Sequence, residues 1–408
     1  MNGLRVKLKK YDKGTLFVAF ILVFNHLIGY ISYENRYFIV GNLHPLYCLA
    51  IICLFTLKVS GIRKICYIYI LLIMYSVVQF IFSADGFSAV GCMVNITKIA
   101  LCYTVMLVFK DIIGDVNYAD VIKLATRFLL FLLIIATVWK TPYLWRLSDG
   151  VNRFENVRLK LLYNEPSEVG LHLGLIAAIT YGLYLDRKIS KGTLVCVLSI
   201  NLLIIYMAKP LLGIAAMVLT IMIDMLFYIF RNLTVKRTLC ISLLLFLLAL
   251  FIVNFVAFSD ISIAQRVRAI LRGEDSSSRY RIGLSWYLLK EMFQKNYGIG
   301  FGFSRLTSGY YLSQYGHIGL TASGITASYF NILAEGGFAG IGLISYLVVN
   351  MAKSIKANFS YVKLAMLCFI VVYQLMGAYF TNPFCWMIYG LVMSVPKNDT
   401  SIRKGDVV

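Results

Sequence analysis

Long apolar runs, separated by short polar stretches rich in lysine and arginine, repeat along the whole chain. Over about 20 apolar residues only a helix satisfies its own backbone polar groups in hydrocarbon, and the strands of a membrane barrel are shorter and alternate polar with apolar. The pattern therefore predicts an all-α polytopic membrane protein of about twelve transmembrane helices. They are expected near 15–33, 39–57, 65–83, 89–109, 124–139, 167–185, 193–208, 211–230, 238–258, 325–350, 362–380 and 383–395. Residues 1–408 read as a single integral-membrane domain carrying two larger basic loops, about 140–164 and 259–322.

Composition agrees. With 60% hydrophobic and 14% charged residues and a mean hydropathy of +0.78, the chain is more apolar than a soluble domain. The net charge of +20 does not call for nucleic acid, because the basic residues are spread through inter-span loops instead of one face. They set topology. Arg5, Lys7, Lys9, Lys10, Arg63, Lys64, Lys110, Arg187, Lys188, Arg231, Lys236, Arg237, Lys353, Lys356, Arg403 and Lys404 fall on one side, which is expected to be cytoplasmic and to hold both termini. The first apolar run is as long as a span and reads as one, not as a cleavable leader. All nine cysteines fall in expected spans, where they act as small apolar residues.

The two large loops break the charge rule. One carries Lys140, Arg146, Arg153, Arg158 and Lys160; the other carries Arg266, Arg268, Arg272, Arg279, Arg281, Lys290, Lys295 and Arg305. A polyanionic ligand at the outer face would account for them, since a guanidinium fork pairs bidentately with phosphate; alternatively, long loops translocate whatever their charge. In the second loop Ile282, Trp286, Leu289 and Phe293 recur at helical spacing, predicting a helix with an apolar face along the lipid surface, beside Arg279 and Arg281. Gly298, Gly300 and Gly302 end it in a tight turn that returns the loop to the membrane.

Several chemistries are excluded. There is no Gly-Lys dipeptide of a phosphate loop, no HExxH and no Asp-x-Asp, and four histidines with few carboxylates make no dedicated metal site. Glu165, Glu168 and His172 share one helical face after Pro166, as a reactive group or as carboxylates complementing a helix dipole. Lys209-Pro210 puts an ammonium at the mouth of the bundle or a snorkelling lysine at the interface. Lys98 and Asp224 are expected near the bilayer midplane, as an intramembrane pair.

The arginine-led segment with Trp286, the Gly298-x-Gly300-x-Gly302 turn and the span opening Tyr329-Phe330-Asn331-Ile332-Leu333-Ala334-Glu335-Gly336-Gly337 resemble the O-antigen polymerase and ligase family. Glu165-Pro166-Ser167 and Lys209 also look like features of the Wzy-type polymerases. The resemblance implies a multi-pass enzyme of the bacterial inner membrane that transfers a growing glycan from undecaprenyl diphosphate to the next lipid-linked repeat unit at the periplasmic face. It implies no cofactor, ATP or metal. The implied partners are the lipid-linked donor and acceptor, membrane lipid and a chain-length regulator. Arg279, Arg281, Lys209 and Arg305 would hold diphosphate; His317, then Glu165, Glu168 and Glu335, are candidate bases. Trp286, Tyr329, Asn331 and Glu335 would position the glycan and loop. Ligases commonly carry a histidine where this chain has Thr326, which argues against a ligase. A flippase for lipid-linked oligosaccharides is the other alternative, with Lys98 and Asp224 as its signs.

Overall fold

The computed structural model describes residues 13–34, 45–56, 61–82, 85–112, 116–147, 157–163, 166–231, 246–247, 250, 253–260, 262–275, 279–320, 324–325, 327–377 and 380–394. The helices are α1 (Lys13–Glu34), α2 (Pro45–Thr56), α3 (Ile62–Phe82), α4 (Ala89–Ile112), α5 (Tyr118–Val138), α6 (Pro166–Leu185), α7 (Lys191–Ala208) and α8 (Leu211–Arg231). There follow α9 (Ser262–Leu271), a π-helical turn (Arg279–Leu284), α10 (Ser285–Lys295), α11 (Gly309–Tyr315), α12 (Ser328–Ala357), α13 (Tyr361–Met376) and α14 (Pro383–Met393).

The protein is an all-α, multi-pass membrane protein. Among the described residues seven helices, α3 to α8 and α12, are long and apolar enough to cross a membrane; α2, α13 and α14 are shorter apolar helices. The expected span 238–258 falls largely outside the described residues. Each other expected span meets a helix. α5 starts six residues before its expected beginning, because Asn117 caps it: its Oδ1 accepts from the Ala119 and Asp120 amides at 3.2 and 3.4 Å, and Asp120 complements the dipole.

All of α14 is buried. It packs on α4, α12 and α13, while α6 packs on α7, α8 and α13. Gly213 of α8 lies against Gly170 of α6 so closely that a Cβ on it would come within 2.5 Å of the Gly170 Cα. Without a hydrophobic drive between helices in lipid, such small residues allow the close packing that holds them together. By contrast α3 is almost wholly exposed, with only Leu72 and Gln79 buried.

The outer loop has its own small core of Leu284, Leu288 and Met292 with Phe301, Tyr311 and Tyr315. Leu284, Leu288 and Met292, at four-residue spacing, face this core, while Ile282, Trp286 and Phe293 form an exposed apolar face on another side. One expectation is corrected. Lys98 and Asp224 do not meet, because α4 lies against α2, α3 and α14 whereas α8 lies against α6 and α13. Asp224 is fully buried beside Tyr181 and Cys368.

The first large loop contains an antiparallel hairpin of β1 (Trp145–Leu147) and β2 (Val157–Leu159), with Trp145 opposite Leu159. The Trp145 indole donates to the Ala136 carbonyl at 2.9 Å and ties the hairpin to the end of α5.

Candidate functional site

The outer loop is anchored where α12 breaks. Gly337 has φ 53° and ψ −129° inside an otherwise helical run. Such a break leaves carbonyls without intrahelical partners, which at membrane depth is tolerated only where protein groups replace them. The glycine turn supplies those groups. The Phe301 amide donates to the Ala334 carbonyl at 2.8 Å and the Gly302 amide to the Glu335 carbonyl at 2.9 Å. Gln79 of α3 donates to the same Glu335 carbonyl at 2.8 Å and to Ile299 at 2.9 Å, and Tyr75 also donates to Ile299. In return the Phe338 amide donates to Gly298 at 3.0 Å.

Only glycine fits this contact. A Cβ at Gly300, which has φ +94°, would lie 2.5 Å from the Glu335 carbonyl oxygen; one at Gly337 would lie 2.2 Å from that of Gly298. The turn's spacing thus serves a backbone-to-backbone dock between the loop and the break of α12.

The Glu335 side chain closes the same joint. It is buried, and its Oε2 accepts from Asn95 Nδ2 of α4 at 3.1 Å. The Ser304 and Leu306 amides also hydrogen-bond the carboxylate. Three donors, one from α4 and two from the loop, hold it at the joint.

Arg305 lies between those two amides and is 2% exposed. Its guanidinium sits 5.1 Å from the Phe87 ring centroid, and Nη1 donates to the Asp85 carbonyl at 3.5 Å. Burial lowers its pKa from the ordinary guanidinium value, opposed by Tyr311, Cys92 and Asp85. It lies beneath the loop. Arg279 is exposed and Arg281 half-buried in the π-helical turn, a geometry often found at functional sites. Trp286 is exposed one turn later, and His317 is exposed in the 3₁₀ turn Gly316–Ile318.

Lys209 belongs to a second group. It caps α7 in the left-handed conformation, φ 48° and ψ 50°. Arg158 of β2 donates to the Ala208 carbonyl at 3.0 Å and to the Lys209 carbonyl at 2.8 Å, replacing partners lost at the helix end. Glu168 is half-buried in the first turn of α6, where a carboxylate favours the helix N-terminus. Glu165 lies outside the described residues. His172 is fully buried between the rings of Tyr163 and Phe384, at 5.1 and 4.1 Å.

Tyr329 is buried, its hydroxyl 3.1 Å from that of Tyr389, while Asn331 is half-buried with Oδ1 toward Gly324. The structure thus brings Glu335 and Arg305 together at the α12 joint and puts Lys209 and Glu168 at the α6–α8 end, with α13 packed between the two groups. Sequence reasoning missed Gln79 and Asn95 as anchors of the loop, and Arg158 as the cap of α7. The signal for the first two was an amide side chain inside an apolar span, where hydrogen bonding across helices is the rule.

Fold and site together define a multi-pass helical membrane protein with an arginine-bearing loop docked into the break of a span. A family model described as O-antigen ligase matches residues 194–345, from α7 through the loop, the glycine turn and the break in α12. The match covers less than half of the chain and marks this region as similar to the O-antigen ligase family, without distinguishing ligase from polymerase. No curated protein matches the chain.

Proposed function

We propose that this chain is a polysaccharide polymerase of the bacterial inner membrane, with both termini cytoplasmic. It would transfer a growing glycan from undecaprenyl diphosphate to the next lipid-linked repeat unit. The observation that carries this reading is the glycine turn docked on the break of α12, inside the matched residues, which fixes an arginine-led turn and an exposed apolar face at one end of the bundle.

In the reaction an acceptor hydroxyl oxygen bonds to the anomeric carbon of the donor's reducing-end sugar. The bond from that carbon to the phosphate oxygen breaks, and its electron pair leaves with the lipid diphosphate. The hydroxyl proton passes to a base. Arg279 and Arg281 on one side of α13 and Lys209 on the other bind the two lipid diphosphates, and the cations at the donor stabilise its leaving group, as preorganised cations do where charge develops. His317, exposed in the same loop, is the first candidate for the base, followed by Glu168 and Glu165. Arg305 and Glu335 hold the loop, and Trp286, Tyr329 and Asn331 position loop and glycan.

A ligase, which would pass the glycan to a different acceptor, is favoured by the description of the matching family. Thr326, where ligases commonly carry histidine, favours the polymerase. Surface glycan from cells lacking the gene, rescued by wild type or Arg281→Ala at matched expression, tests this. A polymerase gives a ladder with wild type and single repeats on the final acceptor in the null and the variant. Long lipid-linked chains without surface glycan in the null identify a ligase, and single repeats held on the cytoplasmic face identify a flippase.

A further inference from the structure

A cleft of about 400 Å³ opens between α3, α4 and α12, away from the outer loop. Five α3 residues from Lys64 to Leu72 form one wall, and α12 from Ala339 to Tyr346 forms the other. Both walls are apolar apart from the lysine and the tyrosine hydroxyls. At its back the hydroxyls of Tyr103 and Tyr346 lie 3.1 Å apart. Its volume falls within the range of small-molecule sites.

Depth identifies the leaflet. The 21 residues of α3 measure about 31 Å, the thickness of the hydrocarbon core, so Leu72 marks the midplane. The cleft therefore occupies only the half that begins at Arg63 and Lys64, both exposed. An apolar cleft with a cationic rim at the height of the headgroups suits an anionic phospholipid, its phosphate at the rim and an acyl chain inside. Gly342 lines the cleft, and a Cβ there would meet nothing within 4 Å, which leaves room for the chain.

We propose that this cleft is a binding site for an anionic phospholipid of the leaflet bordered by Arg63 and Lys64, with Lys64 holding the phosphate. Basic side chains at that depth attract anionic headgroups and snorkel readily to reach them. The inference does not depend on the transferase reading.

The test uses the full chain, reconstituted in vesicles of equimolar phosphatidylglycerol and phosphatidylcholine with a small share of polyprenyl phosphate and then extracted into mild detergent, with retained lipid counted by native mass spectrometry. Wild type should keep one phosphatidylglycerol, at about tenfold preference over phosphatidylcholine. Lys64→Glu should bring that preference to about one. Gly342→Leu should abolish retention of either lipid while the thermal midpoint stays at the wild-type value, because the added side chain fills open space. Equal retention of the two lipids by wild type, unchanged retention in Gly342→Leu, or a retained polyprenyl phosphate in place of the phospholipid would overturn the proposal.

Discussion

Glu335 gathers donors from Asn95 and from the Ser304 and Leu306 amides in a place water does not reach. Removing the acceptor leaves each of them unmet, at about 1–3 kcal/mol apiece. Glu335→Ala should therefore lower stability in detergent by about 3 kcal/mol or more, and Asn95→Ala by less. The pair should couple, with the double variant less destabilised than the sum of the singles, and thermal unfolding of the four proteins measures it. A second comparison isolates backbone strain. Gly300→Ala meets the Glu335 carbonyl and has φ +94°, whereas a Cβ at Gly309 meets nothing within 4 Å. Folded yield should collapse for the first, while the second stays within about 0.5 kcal/mol of wild type. These residue-scale anchors were the least legible in the sequence. Gln79 and Asn95 meet partners more than 200 positions away, and nothing local in an apolar span distinguishes an amide that bonds to a remote backbone from one that is merely buried.

At the scale of elements, hydropathy fixed most of the helices, since a run of about 20 apolar residues has one stable backbone solution in lipid. It did not show the break in α12: Glu335-Gly336-Gly337 is a weak helical stretch, but the apolar run resumes at Phe338 and reads as one span. The hairpin in the first loop was likewise hidden, as three-residue strands give too short an alternation to read. That hairpin serves the end of α7, whose carbonyls Arg158 satisfies. Replacing Arg158 with alanine should destabilise the α7–α8 junction by about 2 kcal/mol, seen as a lower melting midpoint. Arg158→Lys should recover only part of the loss, because an ammonium lacks the fork that reaches both carbonyls.

For the whole molecule, the alternation of basic residues predicts an orientation that puts α11 and the outer loop opposite Lys188. With the native cysteines removed, Ser313→Cys in intact cells stripped of outer membrane should react with a membrane-impermeant maleimide, and Lys188→Cys only after lysis. Reversed labelling would invert the topology and with it the proposed site. Arg279 and Arg281 were legible as loop arginines, yet their place in a turn tied through α10 to the break in α12 depends on packing that no single segment encodes. Arg305 stood in the same charge pattern, but it is buried, with its guanidinium beside the Phe87 ring. The central claim is that this docked loop joins lipid-linked glycans. The most direct measurement supplies the purified, reconstituted chain with lipid-linked repeat units and follows product length together with released lipid diphosphate. The account predicts longer lipid-linked chains, one lipid diphosphate released per added repeat, and a loss of at least about tenfold in Arg279→Ala and Arg281→Ala. Unchanged chain length with repeat units moved across the membrane would contradict it.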